Sequence, residues 1–459
     1  MSETIQSYVD YAIELGTKQE VDLILGIGTN AVRNQIRFSS NKVDISKQWN
    51  ENNLELIVVV GGNQLAIGEF SPRNEEHVKE RVNAQIKFAN TMSPSPFYQG
   101  VESTVSKFTP LVGHYDDKID DYGENAVSVI NSCINEAISE GAKRVAGSYF
   151  FGKKNVYLNS SAGPKGSHSS TSYNLTVRAF QEELDASGQG LATGCIPHSA
   201  EKKLLAAAAT AGKFSRMHKN AQPAKAGKYD IIMSPAVAAN LVGSIPNDAN
   251  PLAVLMGRSA LGDKMGEKLA PEFINVADNG LQPDGLGTSP FDDEGTPRQI
   301  TPIFKDGVLV NFIHSTSSAK MFQGESTGNG SIVSFWTGSK LMAPAPTNYV
   351  FENGDHSFEE LIDTNRKTIY VTCNWYTRYT SKISTEYSTI PRDAAFLVEN
   401  GELSTPIKNF RISDNMLRQF ANIDALGNDR VQVKWWEVPV PTWISTLRVK
   451  NCRLTTATQ

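Results

Sequence analysis

Residues 279–329 read NGLQPDGLGTSPFDDEGTPRQITPIFKDGVLVNFIHSTSSAKMFQGESTGN, and the rest of the chain is organised around this block. At its centre three carboxylates stand side by side, those of Asp292, Asp293 and Glu294. Because adjacent like charges repel, we expect them in a surface turn, at the start of a helix or on a bound cation. The flanking Pro290 and Gly295 favour the turn.

A hairpin is predicted directly after this acidic turn. Asp306-Gly307 separates the apolar runs Ile303–Lys305 and Val308–Phe312. Asp-Gly between two such runs is a strong short-range hairpin signal. A glycine-rich loop, GESTGNG at residues 324–330, then closes the block. The sequence therefore predicts an acidic turn, a hairpin and a glycine-rich loop in succession.

Length and composition exclude several classes of protein. The chain has 459 residues, of which 40% are hydrophobic and 20% charged, and this predicts a globular protein of two or three domains. A net charge of −5 without a basic block argues against nucleic-acid binding. Apolar runs such as Leu54–Val60 are shorter than the roughly 20 residues of a membrane span. The first 16 residues predict an amphipathic helix rather than a signal peptide.

The cysteines indicate a reducing compartment. There are four, widely spaced and without a CxxC pair: Cys133, Cys195, Cys373 and Cys452. Cys373 lies in a β-like run, where a buried small residue is a better interpretation than a nucleophile. No HExxH or HExxxH pattern occurs in the sequence.

The first half of the chain predicts an antiparallel, curved sheet with helices. A turn at Gly61-Gly62-Asn63 joins two of its strands. A helix is predicted over Asn74–Asn90, since apolar residues recur there at helical spacing. The predicted strands are Val21–Ile27, Val32–Ser39, Lys42–Trp49, Leu54–Val60, Gln64–Phe70, Arg144–Lys153, Asn155–Asn159 and Ser170–Gln181. The other predicted helices are Ser2–Gly16, Gly123–Gly141 and Ala200–Ala211.

The second half is predicted to be mostly β. The small and basic loop Ala221–Lys228 is the best candidate for a domain boundary, which gives domains 1–220 and 221–459. After it we predict a strand at Tyr229–Met233 and a helix at Pro235–Val242. Ser234 would cap that helix, with proline in its first turn.

The acidic turn is a weak candidate for a metal site. Carboxylates bind hard cations, but the alternating ligands of a calcium loop are absent. A structural role is the better interpretation, in which Asp292 or Asp293 accepts hydrogen bonds from backbone N–H groups of the following turn.

An aromatic and basic stretch at residues 374–379, NWYTRY, leaves two interpretations open. Its side chains either line a groove and contact a ligand, or form a strand with one aromatic face in the core. The pair Trp435-Trp436 before a proline-rich segment suits an interface and a packed edge strand equally.

The block at residues 289–330 resembles the signature of the TldD/PmbA family, also called modulators of DNA gyrase. The resemblance extends over nearly the whole chain. It includes NSSAG at residues 159–163, YDIIMSPAVAANLVG at residues 229–243, PTN at residues 346–348 and ENGE at residues 399–402. The DDEG and ENGE motifs are specific only in combination.

The resemblance implies a two-domain α+β fold and a soluble, cytoplasmic dimer. The characterised pair in this family is a zinc-dependent peptidase built from two related chains. One chain carries HExxxH on a helix after the domain boundary, with a cysteine near its C-terminus as the remaining protein ligand. The other chain carries neither and shapes the closed chamber.

This sequence departs from the catalytic pattern at both places. The helix at Pro235–Val242 reads PAVAANLV, which offers no zinc ligand and no general base. Where the catalytic chain has its cysteine, this chain has Val433-Lys434-Trp435-Trp436, and Cys452 lies too far on to match. The chain therefore resembles the non-catalytic, PmbA/TldE-like member, with no catalytic residue, metal ligand or cofactor of its own.

We accordingly predict a subunit that pairs with a zinc-bearing TldD-like chain and helps to hold an unfolded or small peptide. Two alternatives stay open: a homodimeric peptide-binding protein without protease activity, and a hydrolase that uses Cys373 or the acidic turn instead of zinc. The candidates for the substrate groove are Asp292, Asp293, Glu294, Arg298, Asn329, Trp375, Arg378 and Tyr379.

Overall fold

In the computed structural model, which describes residues 4–182, 184–335 and 338–456, the first part of the chain forms one antiparallel sheet of six strands. The strands are β1 (Leu23–Ser39), β2 (Lys42–Val60), β3 (Gln64–Phe70), β4 (Arg144–Ser160), β5 (Lys165–Phe180) and β6 (Ser187–Gly194). Their order across the sheet is β3-β2-β1-β4-β5-β6, so β6 lies at an edge.

Three expected strand pairs are in fact single long strands. The predicted breaks near Asn30, Asn50 and Lys154 lie inside β1, β2 and β4. The polar residues there predicted loops, but Asn30 pairs with Asn52 on one side and with Asn155 on the other. Backbone pairing on both sides therefore outweighs the low strand propensity of asparagine.

Four helices cover this sheet: α1 (Ile5–Thr17), α2 (Glu75–Ala89), α3 (Ile119–Ser139) and α4 (Glu201–Met217). The predicted helix at Asn74–Asn90 is confirmed as α2. Asn74 caps it by accepting a hydrogen bond from the His77 N–H at 2.9 Å, and the apolar stripe from Val78 to Ala89 is buried. Helices α1 and α2 share one hydrophobic core, and α3 and α4 share another.

The rest of the chain is rich in strands with few short helices, which confirms the predicted α+β fold class. Its strands are β7 (Gln222–Pro223), β8 (Gly227–Met233), β9 (Val276–Asn279), β10 (Ile300–Lys305), β11 (Val308–Leu309), β12 (Gly330–Ser334), β13 (Lys340–Pro344), β14 (Tyr349–Phe351), β15 (Thr368–Val371), β16 (Asn374–Ser381), β17 (Glu386–Pro391), β18 (Ala395–Glu399), β19 (Glu402–Lys408), β20 (Phe410–Asn415), β21 (Ile423–Leu426), β22 (Val431–Trp435), β23 (Val438–Ile444) and β24 (Leu447–Thr456). Its helices are α5 (Pro235–Asn240), α6 (Pro251–Leu255), α7 (Thr316–Met321), α8 (Phe358–Ile362) and α9 (Met416–Ala421).

These strands form three further sheets. A ten-stranded sheet has the order β16-β17-β20-β24-β8-β15-β18-β19-β7, with β21 paired to β24. A six-stranded sheet has the order β11-β10-β9-β14-β23-β22, and β12 pairs with β13 alone. The two larger sheets enclose one hydrophobic core, in which α5 is also buried. The division at residue 220 stays a prediction.

The predicted Asp-Gly hairpin is confirmed. Strands β10 and β11 pair antiparallel across Asp306 and Gly307, which adopt positive φ angles of 51° and 74°. The predicted helix at Pro235–Val242 ends earlier, at Asn240, and a 3₁₀ turn follows over Val242–Asp248. Within the described residues, no helix is both long enough and apolar enough to cross a membrane.

Candidate functional site

The acidic turn is buried, and the expectation of a surface turn is wrong. Asp292 and Glu294 are 1% and 0% exposed, and Asp293 is half-buried. The physical reason is that backbone N–H groups surround these carboxylates and replace the water that they lose.

Asp292 organises the turn. Its Oδ1 accepts hydrogen bonds from the N–H groups of Glu294 and Thr296, both at 2.9 Å. Its Oδ2 accepts from the Gly330 N–H at 2.7 Å, and the Asp293 N–H donates back to the Gly330 carbonyl at 3.0 Å. The predicted structural role, with backbone N–H groups donating to this aspartate, is therefore confirmed.

Asp293 extends the same linkage to strand β12. Its Oδ2 accepts hydrogen bonds from the Ser331 hydroxyl at 2.8 Å and from the Ile332 N–H at 2.9 Å. The acidic turn thus fixes the end of the glycine-rich loop through two consecutive carboxylates.

The buried carboxylate of Glu294 is only partly hydrogen-bonded, and its pKa is raised. Its Oε2 accepts a hydrogen bond from the Thr316 N–H at 2.8 Å, while Oε1 is buried without a partner among the described residues. Burial raises the pKa of Glu294, and the nearby charge of Asp292 raises it further. The pKa of Asp292 is also raised by burial, although Arg298 and the backbone N–H donors act against that rise.

Arg298 and Asn329 hold this region together. Arg298 donates to the Ser289 hydroxyl at 3.2 Å and to the Gly328 carbonyl at 2.5 Å. Asn329 is 1% exposed and donates to Asp278 Oδ2 at 2.6 Å and to a backbone carbonyl at 3.0 Å. Asn329 is therefore a buried link between the glycine-rich loop and β9.

The structure divides the predicted groove residues between two places. Asp292, Asp293 and Arg298 line a cavity of about 320 Å³, which we call the small cavity. Trp375, Arg378 and Tyr379 lie on β16, where Trp375 packs against Trp435 and the Tyr379 hydroxyl contacts the Met416 sulfur at 3.2 Å. The three residues of β16 are not among those that line the small cavity.

Residues 374–379 form a strand of which the Trp375 ring packs inward, and a groove lined by its other side chains stays a prediction. Trp375 is half-buried, and its ring lies 6.2 Å from the ring of Trp435 and 5.5 Å from that of Trp436. Arg378 and Tyr379 are exposed. Glu437 fixes the bend in β16 by accepting a hydrogen bond from the Tyr376 N–H at 2.7 Å.

A larger cavity of about 610 Å³, which we call the large cavity, lies between the two halves of the chain. Edge strand β6 and helix α4 form one wall, and the start of α5 with edge strand β22 forms the other. Most of its lining is apolar. The apolar lining residues are Leu191, Ala192, Ala206, Ala207, Phe214, Pro235, Ala236, Phe358, Tyr370, Leu403, Val431, Val433 and Trp443.

The polar groups of the large cavity lie mainly in pairs. The ammonium group of Lys203 is 2.9 Å from Asp284 Oδ2, and Gln432 donates to the Asp284 carbonyl at 2.7 Å. Asp429 accepts two hydrogen bonds from Thr446, at 2.8 and 2.6 Å. These side chains shape the walls of the cavity.

The sequence interpretation did not identify β6, although a signal was present. Small residues recur at every second position from Gly188 to Gly194, as expected for a strand face against a helix. A Cβ atom added at Gly190 would overlap the Ala207 carbonyl oxygen of α4. This close approach brings β6 to the wall of the large cavity.

The donor set at the large cavity does not fit zinc. Helix α5 begins with Pro235 and Ala236 at the cavity, and Val433 faces it from β22. The polar residue of α5, Asn240, donates a hydrogen bond to the Thr377 hydroxyl at 2.9 Å. Across residues 4–182, 184–335 and 338–456, no group of three His, Cys, Asp or Glu side chains is arranged to hold a metal ion.

Cys373 is placed for packing. It is 1% exposed and lies against the Gln189 side chain, with its Sγ 3.3 Å from Oε1. Burial raises the pKa of its thiol well above the usual range, and the charge of Asp393 adds to that rise. A thiol in this state is protonated and a poor nucleophile.

A family match covers the half of the chain that carries α5, the acidic turn and β22. A sequence model described as the PmbA/TldA metallopeptidase C-terminal domain matches residues 226–456. A metalloprotease of Methanocaldococcus jannaschii is 29% identical over 211 residues, which are 46% of this chain and 45% of that protein. The metalloprotease PmbA of Escherichia coli O157:H7 is 28% identical over 205 residues, which are 44% of this chain and 41% of that protein. The chain thus spans less than half the length of these curated relatives.

Solved structures share the fold over the full chain. A Thermotoga maritima protein described as a modulator of a DNA gyrase has a TM-score of 0.84 at 19% identity, and the match covers 98% of this chain and 100% of that one. TldE from Thermococcus kodakarensis has a TM-score of 0.83 at 16% identity, with coverage of 98% and 100%. At these identities the likeness establishes the fold.

Proposed function

The chain belongs to the PmbA/TldD family, and from this premise we propose that it is a subunit without zinc chemistry of its own, which pairs with a zinc-bearing relative and holds an extended peptide. Named relatives that match less than half of the chain are metalloproteases. Peptides are therefore the substrate class that this family membership supports. The unpaired cysteines support a reducing compartment such as the cytoplasm.

One observation carries this proposal. The resemblance to the family assigns zinc binding to a helix after the domain boundary and to a residue near the C-terminus. In this chain the corresponding stretches are α5 and β22, which contact each other and line the same large cavity with Ala236 and Val433. At these two stretches the cavity is lined by apolar residues, which can neither bind a metal nor transfer a proton.

The walls of the large cavity suit an extended peptide. Both β6 and β22 are edge strands, and an edge strand offers backbone N–H and C=O groups to an added strand. The apolar lining, which includes Leu191 and Val433, offers space for alternate side chains of such a peptide. Backbone pairing of this kind gives affinity with little dependence on sequence, as expected for a subunit that receives unfolded peptides.

The partner is tested by purifying the tagged chain at its native expression level. We expect mass spectrometry to identify a TldD-like chain that carries HExxxH, and metal analysis to find zinc only in samples that contain this partner. A zinc-free homodimer without such a partner would instead support a homodimeric binding protein. Stoichiometric zinc and cleavage of unfolded peptide by the purified chain alone would contradict the proposal.

The large cavity is tested with Ala236→Trp, which fills the cavity from α5. We expect this variant to lose most of its affinity for a fluorescent unfolded peptide, measured by fluorescence polarisation on the purified complex. Ala84→Trp is the matched control, because Ala84 is an exposed alanine on α2. Equal peptide affinity of the two variants would place the peptide elsewhere.

A further inference from the structure

The small cavity is a polar site that the proposed peptide-holding role does not use. It lies between one face of the first sheet, at β1, β2, β4 and β5, and the segment that contains the acidic turn. Its volume of about 320 Å³ is within the range of small-molecule sites.

Two cations line the small cavity. Lys154 is exposed and makes no ion pair with any described residue. Arg298 uses Nε and Nη1 for Ser289 and Gly328, which leaves Nη2 without a partner among the described residues. Both cations act on the same lining residue, His168, whose pKa their charges help to lower. A carboxylate placed near them would therefore meet two donors with free hydrogen-bonding capacity.

Two anions line the same cavity. Glu55 accepts a hydrogen bond from Lys340 at 2.5 Å through Oε1, and its Oε2 makes no hydrogen bond to described residues. Asp293 uses only Oδ2 for β12, so its Oδ1 is likewise free. Glu55 and Asp293 lie close enough for the charge of Asp293 to add to the rise that burial causes in the pKa of Glu55. An ammonium group near this pair would find two free acceptors.

Neutral polar groups accompany these charges. The His168 ring packs edge-on against Phe291 with centroids 5.5 Å apart, and its Nδ1 is buried without a partner among the described residues. Burial, with Lys154, His114 and Arg298, lowers the pKa of His168 to about 4, so the ring is uncharged at neutral pH. The hydroxyl groups of Thr29 and Ser170 make no hydrogen bond to described residues, and they add free donors and acceptors.

The mixture of charges selects the kind of ligand. A simple anion such as phosphate would be repelled by Glu55, Asp292 and Asp293, and a simple cation by Lys154 and Arg298. We propose that the small cavity binds a small zwitterion of the α-amino acid class, with its carboxylate toward Lys154 and Arg298 and its ammonium group toward Glu55 and Asp293. The ligand side chain would contact the apolar wall, which is formed by Ile27, Val156, Leu158 and Phe291.

The ligand class is tested by isothermal titration calorimetry on the full chain. The probes are L-leucine, L-serine and L-glutamate, then N-acetyl-leucine, leucinamide and inorganic phosphate. We expect at least one free amino acid to bind at least about tenfold more tightly than N-acetyl-leucine, which lacks the ammonium charge, and leucinamide, which lacks the carboxylate charge. Binding of phosphate alone, equal binding of leucine and its two blocked forms, or no binding of any free amino acid would overturn the proposal.

The position of the site is tested with Lys154→Gln and Thr29→Val. We expect each variant to weaken binding of the free amino acid, by about tenfold for Lys154→Gln. Lys153→Gln is the matched control, since Lys153 is the neighbouring residue of β4 and pairs instead with Asp120 at 2.5 Å. The proposed site is wrong if Lys153→Gln weakens binding as much as Lys154→Gln. It is also wrong if neither Lys154→Gln nor Thr29→Val weakens binding.

Discussion

Asp292 and Gly330, 38 residues apart in the chain, are joined by a hydrogen bond of 2.7 Å from the glycine N–H to the aspartate Oδ2. The Gly330 carbonyl in turn accepts a hydrogen bond from the Asp293 N–H at 3.0 Å. Two opposed hydrogen bonds thus connect the acidic turn to the end of the glycine-rich loop. A Cβ atom added at Gly330 would lie 2.6 Å from the Glu294 carboxyl carbon, so this junction also requires glycine.

Replacing Asp292 by asparagine should destabilise the protein. Three backbone N–H groups donate to the Asp292 carboxylate, and an asparagine amide would direct N–H groups of its own at some of these donors. We expect a loss of about 2–3 kcal/mol in the free energy of unfolding, measured by urea denaturation. The control is Asp306→Asn, at an exposed turn residue with a φ of 51°, a conformation that asparagine also adopts. We expect it to change the free energy of unfolding by less than about 0.5 kcal/mol. Equal losses in both variants would show that the carboxylate of Asp292 is not required.

Glu294 should make the stability depend on pH. Its pKa is raised from 4.5 to about 8, so the folded chain retains a proton that the unfolded chain releases above pH 4.5. Stability is therefore lost as the pH rises from about 4.5 to 8, with a slope on the order of 1.4 kcal/mol per pH unit for one proton. Glu294→Gln does not titrate, so the variant lacks this source of pH dependence.

The measurement is urea denaturation of wild type and Glu294→Gln between pH 4.5 and 8. We expect the variant to gain stability relative to wild type as the pH rises. The control Glu325→Gln changes an exposed glutamate of the glycine-rich loop and should follow wild type. A pH-independent difference between Glu294→Gln and wild type would refute the assignment.

Local patterns were sufficient to predict several elements of the fold. Asn74 before an apolar stripe predicted α2 and its cap, and Asp306-Gly307 predicted the β10–β11 hairpin, because each signal lies within a few neighbouring residues. The burial of Glu294 could not be predicted in this way. Its hydrogen-bond donor is the Thr316 N–H, 22 residues away, and only the folded chain brings the two together.

The candidate site was predicted in part for the same reason. The loss of ligands in α5 could be recognised from residues 235–242 alone, since no histidine or glutamate occurs there. The large cavity could not, because β6 and β22 are separated by more than 200 residues and meet only through tertiary packing. Trp375 and Trp436 were likewise recognised as separate features, and their contact follows from the bend that Glu437 fixes.

Two glycines should respond oppositely to alanine. Gly190→Ala forces a methyl group against the Ala207 carbonyl oxygen and should cost about 1–3 kcal/mol of unfolding free energy. Gly123 lies within α3 with open space around its Cβ position, so Gly123→Ala should stabilise the protein by about 0.5–1 kcal/mol. Thermal and urea denaturation of the two variants check both signs. Tolerance of alanine at Gly190 would mean that β6 and α4 are not in close contact.

The four cysteines should resist thiol reagents in the folded protein, and this distinguishes packing from thiol catalysis. Cys133, Cys195, Cys373 and Cys452 are all at most 2% exposed, and burial raises the pKa of each thiol. We expect no rapid reaction with a chromogenic disulfide at neutral pH, and release of four equivalents after denaturation in urea. Ser93→Cys, which introduces an exposed thiol in a loop, should react at once with one equivalent and serves as the positive control.

Rapid labelling of Cys373 in the folded wild-type chain would contradict its packing role, because a reactive thiol there requires access and a stabilised thiolate. Hydrolysis through Cys373 would then deserve a direct test by Cys373→Ala.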